Sequence, residues 1–167
     1  MKKIFYMLLS SVILISCNDD FDIADQGFDL ENLPESVAFD GAGNTSNANA
    51  TIAEGATRSV VVEAPAGTED DIIVTYSLSG TATYGADYTI AGATASGGTV
   101  TITRNTNFAE TDRGTIPLVT INDVDVESSE TVIITLVSAT RNGEAIAVGR
   151  GGTTVGLTAT ITITSND

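Results

Sequence analysis

The segment from Ile121 to Glu130 has the clearest potential for site chemistry in this chain. Its residues read Ile-Asn-Asp-Val-Asp-Val-Glu-Ser-Ser-Glu, so four carboxylates and one carboxamide stand between two apolar, strand-like runs. The chain contains no histidine, and the site chemistry on offer is therefore that of oxygen donors. Such donors suit a hard cation such as Ca²⁺, which takes about 6–8 oxygen ligands. A solvated acidic turn is the alternative interpretation.

The spacing of these acids is also compatible with an ordinary strand. Asp123, Asp125 and Glu127 are two residues apart. An extended backbone would place their carboxylates on one polar face and turn Val124 and Val126 inward. This pattern alone therefore does not distinguish a metal site from the solvated edge of a sheet.

Other kinds of site chemistry find little support. An EF-hand loop would need glycine where Ser128 stands and a bidentate glutamate where Ile134 stands. No histidine can act as a base, the single cysteine is Cys17, and no serine stands in a nucleophile-elbow or Ser-x-x-Lys context. Paired carboxylates can cleave glycosidic bonds, but aromatic residues that would wall a sugar cleft are few and tryptophan is absent. The sequence predicts a protein that is not an enzyme.

The charge balance restricts the partners of this chain. It has 7 basic and 22 acidic residues, which gives a formal charge of −15 at pH 7. Phosphate backbones would be repelled, so no nucleic acid partner is expected, and anionic membrane surfaces are disfavoured for the same reason. The length of 167 residues suits one domain with accessory segments.

Residues 1–17 resemble the signal peptide of bacterial lipoproteins. Lys2 and Lys3 give a positive start, and the apolar run Ile4–Ile15 is shorter than the roughly 20 residues that span a bilayer. The run ends in Leu-Ile-Ser-Cys, which is similar to the lipobox of those proteins. The resemblance implies that Cys17 is lipidated and that the protein is held on a membrane by this N-terminal lipid.

The acidic stretch that follows, residues 18–36, has no periodic apolar pattern. It begins Asn-Asp-Asp-Phe-Asp, which resembles the export signal of surface-exposed lipoproteins of the Bacteroidetes group. Its composition predicts an extended, self-repelling, disordered tether. Together these segments imply a lipid-anchored protein of the bacterial outer membrane that is exposed at the cell surface.

From Val37 onward the apolar residues recur with a period of two, as in strands with one buried and one solvated face. Turn-forming clusters separate the runs, for instance Pro65–Gly67, Ser96–Gly98 and Arg141–Gly143. About seven strands without helical segments predict an all-β fold, an immunoglobulin-like antiparallel β-sandwich over residues 37–167. The predicted strands are Val37–Phe39, Ser59–Ala64, Asp71–Leu78, Thr99–Arg104, Thr115–Ile121, Thr131–Val137 and Val155–Thr164.

Four segments resemble the Calx-β domain family, the β-sandwich modules of sodium–calcium exchangers, an integrin subunit and many bacterial surface proteins. Gly80–Tyr88 is similar to the family's G-T-A-x-x-G-x-D-Y signature, and Ile121–Thr131 is similar to its I-x-D-D-x-x-x-E-x-x-E-x-F segment. Ala53–Gly55 and Ile163–Asp167 fall where the family has E-G in its first strand and I-x-D-D-D at its end. The resemblance covers residues 37–167 and implies a single Calx-β-like domain on a bacterial lipoprotein.

The resemblance further implies calcium ligands at one end of the sandwich. Residues that are remote in sequence would converge there, and clustered carboxylates repel one another unless a divalent cation neutralises them. The positions that match the family's ligands are Glu54, Asp87, Asn122, Asp123, Glu127 and Asp167.

This chain departs from the family pattern in ways that weaken the implied site. Asn122 stands in place of the first aspartate of a pair, which keeps an oxygen but loses a charge. Ser165 and Asn166 replace two terminal aspartates, and Val132 replaces the usual phenylalanine. Fewer charges imply weak Ca²⁺ binding, with a dissociation constant of about 10⁻⁴–10⁻³ M as in extracellular modules.

The residues of the signature also have structural interpretations. Gly80 and Gly85 are suited to positive φ in a turn. Asp87 is suited to cap that turn, and Tyr88 to be a corner tyrosine whose hydroxyl bonds the backbone.

Two functions are compatible with these observations. The first is a surface-anchored, non-catalytic interaction or adhesion module with weak Ca²⁺ binding at one pole. The second is a glycan-binding accessory lipoprotein of a polysaccharide-uptake system, which the acids after Cys17 favour and the absence of tryptophan disfavours. A spacer without any ligand is the third interpretation, and the sequence does not identify a protein or glycan partner.

Overall fold

The computed structural model of this protein describes residues 35–41, 48–105, 111–124 and 126–167. The predicted signal peptide with Cys17 and nearly all of the predicted tether lie outside the described residues. Within the described ranges, no helix has the length and apolar character needed to cross a bilayer.

Ten β-strands make up most of the described chain, and all belong to one unit, Pro34–Asp167. A single 3₁₀ turn, Arg150–Gly152, is the helical element among the described residues. The strands are β1 (Ser36–Phe39), β2 (Ala50–Ala53), β3 (Thr57–Ala64), β4 (Ile72–Gly80), β5 (Tyr88–Ile90), β6 (Gly97–Ile102), β7 (Asp112–Thr120), β8 (Glu130–Arg141), β9 (Glu144–Val148) and β10 (Thr158–Thr164).

The strands form two layers around one core. Hydrogen-bonded neighbours follow the order β2-β10-β8-β9-β1-β3-β7-β5, and β4 joins β8 to β6. Alternate residues of β3 and β7 on one side, and of β4, β8 and β10 on the other, are buried in the same apolar cluster. The predicted all-β sandwich is therefore confirmed. Two ladders, β2–β10 and β1–β9, are parallel, so the sheet is mixed and not wholly antiparallel as predicted, because β1 and β2 each add to the edge of a distant strand.

Three of the ten strands, β2, β5 and β9, have no counterpart among the seven predicted ones. They contain four, three and five residues, and alternation over so few residues is only a weak signal in a sequence. The last strand begins at Thr158 instead of Val155, because the preceding residues form a turn in which the Arg150 N–H donates to the Val155 carbonyl at 2.7 Å.

The turn predicted at Arg141–Gly143 is confirmed as a two-residue hairpin loop. Arg141 pairs with Glu144, and the two residues between them, Asn142 and Gly143, have φ values of 52° and 86°. Positive φ at both central positions is the type I′ geometry that an Asn-Gly pair favours, because it matches the twist of the two strands.

Several strand ends meet at one end of the sandwich, which we call the pole. Ala53 at the end of β2 pairs with Thr164 at the end of β10. Glu130 at the start of β8 pairs with Ile163, and the first residue of β5 pairs with the last residue of β7. The loops that leave these ends carry the acidic residues singled out by the sequence.

Candidate metal centre

Among the described residues, six carboxylates lie at the pole in two groups of three. Within each group, one oxygen per residue can be chosen so that all three lie within 4.8 Å of one another. Five of the six acids, all except Asp167, line a common cavity. The Glu54 triad comprises Glu54, Asp123 and Asp167, and the Glu130 triad comprises Asp87, Glu127 and Glu130.

The structure brings together most of the residues that the sequence singled out. Five of the six predicted ligands belong to the two triads, and the sixth, Asn122, lies beside Gly55 next to Glu54. Glu130 was not among the predicted ligands. The signal for it was available, because Glu130 is the second glutamate of the Calx-β-like segment Ile121–Thr131.

Glu54 is held in the tight turn between β2 and β3. Its N–H donates to the Thr164 carbonyl at 3.1 Å, and the Ala56 N–H donates to the Ala53 carbonyl across the turn. Gly55 permits this turn through a φ of 71°, and a Cβ there would stand 3.4 Å from the Cβ of Asn122. The turn thus fixes the backbone on both sides of the Glu54 carboxylate.

The Glu54 side chain is buried in an anionic environment. The residue is 9% exposed, and its Oε2 atom has no hydrogen-bond partner. Burial raises the pKa of the Glu54 carboxyl, and the negative charges of Asp123, Asp167, Glu127 and Asp87 raise it further. A buried carboxylate oxygen without a partner carries a desolvation cost that a bound cation would offset.

Asp87 caps the turn that leads into β5, as its position in the signature predicts. The Thr83 N–H donates to Asp87 Oδ2, and the Asp87 N–H donates to the Thr83 carbonyl at 3.0 Å. The Ile121 N–H in turn donates to the Asp87 carbonyl at 2.8 Å. This last bond ties the signature loop to the acidic segment that follows β7.

Gly80 places the start of the same loop against β8. Its φ is 120°, and a Cβ at this position would stand 2.1 Å from the Thr131 carbonyl oxygen. That oxygen accepts from the N–H groups of Thr81 and Ala82 at 2.9 and 3.0 Å. The close approach confirms the positive φ predicted for Gly80 and anchors the loop next to Glu130.

A tyrosine–backbone bond of the kind expected from Tyr88 is made by Tyr84. The Tyr84 hydroxyl donates to the backbone, with the Ala93 carbonyl at 2.9 Å and the Ile90 carbonyl at 3.2 Å. Tyr88 is buried, and its ring packs edge-on against Tyr84 with 5.5 Å between centroids.

Glu130 is the acid most altered by its surroundings. Burial is the largest cause that raises the pKa of Glu130 to about 7, followed by a side-chain hydrogen bond with Asp87 and the charges of Asp87, Glu127 and Glu54. Its Oε2 atom is buried without a hydrogen-bond partner. At neutral pH the Glu130 carboxyl is therefore protonated for part of the time.

Two carboxamides link the backbone around the Glu54 triad. Asn166 Nδ2 donates to Asn122 Oδ1 at 2.6 Å and to the Glu54 carbonyl at 3.5 Å. Asn122 Nδ2 donates to the Asp123 carbonyl at 2.9 Å. The oxygen that Asn122 would offer to a metal is thus engaged by Asn166 in this conformation.

The two valines of the acidic segment are exposed, so the alternative interpretation of this segment as an extended strand with inward-facing valines does not hold. Val124 is 87% exposed and Val126 is 79% exposed. The reason is that β7 ends at Thr120 and the chain after it runs as a loop, in which the alternation of a strand no longer applies.

Arginines pair with carboxylates that belong to neither triad. Arg150 Nη2 lies 2.5 Å from Glu63 Oε1, and Arg113 Nη2 lies 3.8 Å from Glu63 Oε2. Arg141 pairs with Glu35. These three arginines therefore do not neutralise the carboxylates of the pole.

The donor set of the pole fits a hard divalent cation. It is composed of carboxylates, with carboxamide and backbone oxygens nearby, and hard cations such as Ca²⁺ prefer oxygen ligands. The two buried carboxylate oxygens without partners, on Glu54 and Glu130, are positions where a cation would satisfy otherwise unpaired groups.

The fold is similar to solved structures of Calx domains. The apo-form Calx CBD1 domain matches with a TM-score of 0.57 and 19% identity, over 80% of this chain and 98% of that one. The Calx CBD2 domain matches at 0.57 and 15%, over 79% and 87% of the two chains, and CBD12 from CALX1.2 at 0.55 and 18%, over 79% and 45%. No protein-family model and no curated protein matches the chain. At these identities the likeness shows a Calx-β-like fold.

Proposed function

We propose that this protein is a non-catalytic interaction module that binds Ca²⁺ at the pole of its sandwich. The observation that carries this proposal is that each of the two acidic triads contains a buried carboxylate oxygen without a hydrogen-bond partner. These oxygens belong to Glu54 and Glu130. The Calx-β-like fold supports the proposal. All six acids lie in the sequence segments that resemble this family, and five of them stand at predicted ligand positions.

The physical argument rests on charge. Carboxylates that lie within 4.8 Å of one another repel, and Glu54 also loses hydration by burial. A bound Ca²⁺ replaces that repulsion with attraction and would hold the loops after β2, β7 and β10 together. Each triad would supply part of the shell of about 6–8 oxygens, and the exposed Asp123 and Glu127 leave room for water or for a partner's oxygen.

The proposed setting of this module is the bacterial surface. The lipobox-like sequence that ends at Cys17 and the acidic stretch that follows it support the proposal of a lipid-anchored outer-membrane protein whose sandwich faces outward. In this proposal the partner is an extracellular protein that contacts the pole or the sheet edges, as suits adhesion. Labelling with a radioactive or clickable fatty acid tests the anchor: the wild-type protein should incorporate it and the Cys17→Ser variant should not.

A thermal melt tests the calcium site directly. With a dissociation constant of about 10⁻⁴–10⁻³ M, 10 mM Ca²⁺ stabilises the folded state by about 1.4–2.7 kcal/mol over chelator. For a domain of this size, that raises the melting temperature by roughly 4–12 °C. The Asp123→Ala variant should lose most of this increase.

Glu69→Gln provides the matched control. Glu69 is an exposed acid in the loop between β3 and β4, which lies at the opposite end of β4 from the pole. This variant removes one carboxylate from the surface and should keep the full calcium response. Equal melting temperatures of the wild-type protein in Ca²⁺ and in chelator would refute the proposal.

A further inference from the structure

Three consecutive residues at the end of β7 each bond a different loop that carries an acid of the pole. The Thr120 side chain bonds the turn that contains Glu54, the Ile121 N–H bonds Asp87, and the Asn122 side chain bonds Asn166. We propose that Thr120–Asn122 is a positioning hub that assembles the Glu54 triad before a cation arrives. This inference rests on the proposed calcium site and identifies the residues that pre-organise it.

Thr120 holds the Glu54 turn through a hydroxyl that is fully used. The residue is 3% exposed, and its Oγ1 accepts from the Ala56 N–H at 2.9 Å. As a donor, the same hydroxyl faces two carbonyl oxygens, that of Ala53 at 2.9 Å and that of Ala56 at 3.0 Å. Its backbone N–H donates to the Ala56 carbonyl as well. These bonds fix the turn on both sides of Glu54, so they set where its carboxylate points.

The Asn122 side chain serves as both acceptor and donor, which a carboxylate cannot do. Its oxygen accepts from Asn166, which precedes Asp167, and its nitrogen donates to the carbonyl of Asp123. Asn166 also reaches the Glu54 carbonyl at 3.5 Å. The backbone next to each member of the Glu54 triad is therefore connected through neutral amides.

Ile121 connects this hub to the second triad. Its N–H donates to the Asp87 carbonyl at 2.8 Å, and Asp87 belongs to the Glu130 triad. Hydrogen bonds between neutral groups thus keep these loops in fixed positions, although their carboxylates repel one another. Such pre-organisation favours binding because the ordering cost is met when the protein folds and not when the ligand binds.

None of the hub's bonding side chains needs to touch the cation for this role. Thr120 contacts backbone atoms of the turn, and its substitution changes affinity only through the position of Glu54. A purely structural residue would lower the stability of the metal-free protein without changing its affinity. Comparing the change in Ca²⁺ affinity with the change in metal-free stability therefore separates a positioning residue from a structural one.

The experiment compares Ca²⁺ titration calorimetry with thermal melts in chelator for four full-length proteins. Thr120→Val keeps the shape and removes the hydroxyl, and it should weaken Ca²⁺ binding about tenfold, because the energy of about one hydrogen bond no longer holds the Glu54 turn in its binding position. Thr120→Ser keeps the hydroxyl and should bind within about twofold of the wild type. Ser36→Ala is the matched control, because Ser36 is also buried and its Oγ accepts from the Gly151 N–H at 3.0 Å, in a loop with no triad member.

Ser36→Ala should lower the melting temperature in chelator and leave the Ca²⁺ affinity unchanged. If Thr120→Val binds Ca²⁺ as tightly as the wild type, or if Ser36→Ala weakens binding equally, the hub does not position the site. If Thr120→Val does not fold, the exposed Asn166→Ala variant, which removes both amide contacts, should weaken binding about fivefold. A wild-type protein that binds no Ca²⁺ would overturn the calcium site and the hub together, whereas a normal wild type with unaffected variants would overturn the hub alone.

Discussion

Proton competition at Glu130 gives the pole a calcium affinity that depends on pH. The pKa of Glu130 is raised to about 7, mainly by burial and then by Asp87. Calcium binds the ionised carboxylate, so a protonated Glu130 must release its proton first. For a single group with this pKa, the ionised fraction is about 0.9 at pH 8 and about 0.1 at pH 6. The Ca²⁺ affinity should therefore be about tenfold weaker at pH 6 than at pH 8.

Calorimetric titrations at pH 6, 7 and 8 measure this change. Repeating the titration near pH 7 in two buffers with different ionisation enthalpies counts the protons released, and about half a proton per bound ion is expected there. Glu130→Gln is the matched variant, because glutamine keeps a donor toward Asp87, as the protonated acid does, but cannot ionise. It should bind Ca²⁺ weakly at all three values of pH. An affinity of the wild type that stays flat between pH 6 and pH 8 would refute the argument.

The metal-free protein should respond to pH in the opposite sense. The folded-state pKa of Glu130 lies above its ordinary value of 4.5, so the folded state binds this proton more tightly than the unfolded state does. Stability is then highest while Glu130 is protonated in the folded state, and it falls as pH rises from about 4.5 to about 7. The raised pKa of Glu54 adds in the same direction. Urea midpoints in chelator should decrease across this range, and Ca²⁺ should reduce the decrease.

Two further predictions concern the loops of the pole. Replacing both Val124 and Val126 with serine should leave the urea midpoint in chelator within about 0.5 kcal/mol of the wild type, because both side chains are exposed. A larger loss would mean that they are buried, as the alternating pattern suggested. Gly80→Ala should lower the free energy of unfolding by at least about 2 kcal/mol, because its Cβ would stand 2.1 Å from the Thr131 carbonyl oxygen. Gly85→Ala, where nothing lies within 4 Å, should cost only about 1 kcal/mol from its positive φ, and equal losses in the two variants would contradict the steric argument.

The parts of the fold that could be predicted from the sequence are those with long local patterns. The run that became β10 alternates Thr with Ala or Ile, and β7 alternates buried and exposed residues over its full length. β2 is different, because Ala50–Ala53 is short and its partner β10 lies more than a hundred residues away. Parallel pairing between such distant segments leaves no local trace in the sequence.

The composition of the site was predictable only where a motif marked it. Glu54 and Asp167 have no special local pattern, and resemblance to Calx-β segments, not spacing, indicated them. The alternative of an extended strand with inward-facing valines does not hold because β7 ends at Thr120, where its last residue bonds the Glu54 turn. A pattern of alternating residues cannot reveal where the ladder stops.

The amides at the pole change the reason for expecting weak calcium binding. From the sequence, Asn122 reads as a ligand that has lost a charge. In the structure, its oxygen accepts from Asn166 and its nitrogen donates to Asp123, so it contributes to geometry. Affinity is then limited less by the missing charge than by the proton on Glu130, whose pKa burial raises to about 7. Restoring a charge with Asn122→Asp would remove the donor to Asp123, so this substitution should fail to strengthen Ca²⁺ binding at pH 7, whereas raising the pH to 8 should strengthen it. A large gain in affinity for Asn122→Asp at constant pH would show that the missing charge limits this site, and not the proton on Glu130 or the amide contacts of Asn122.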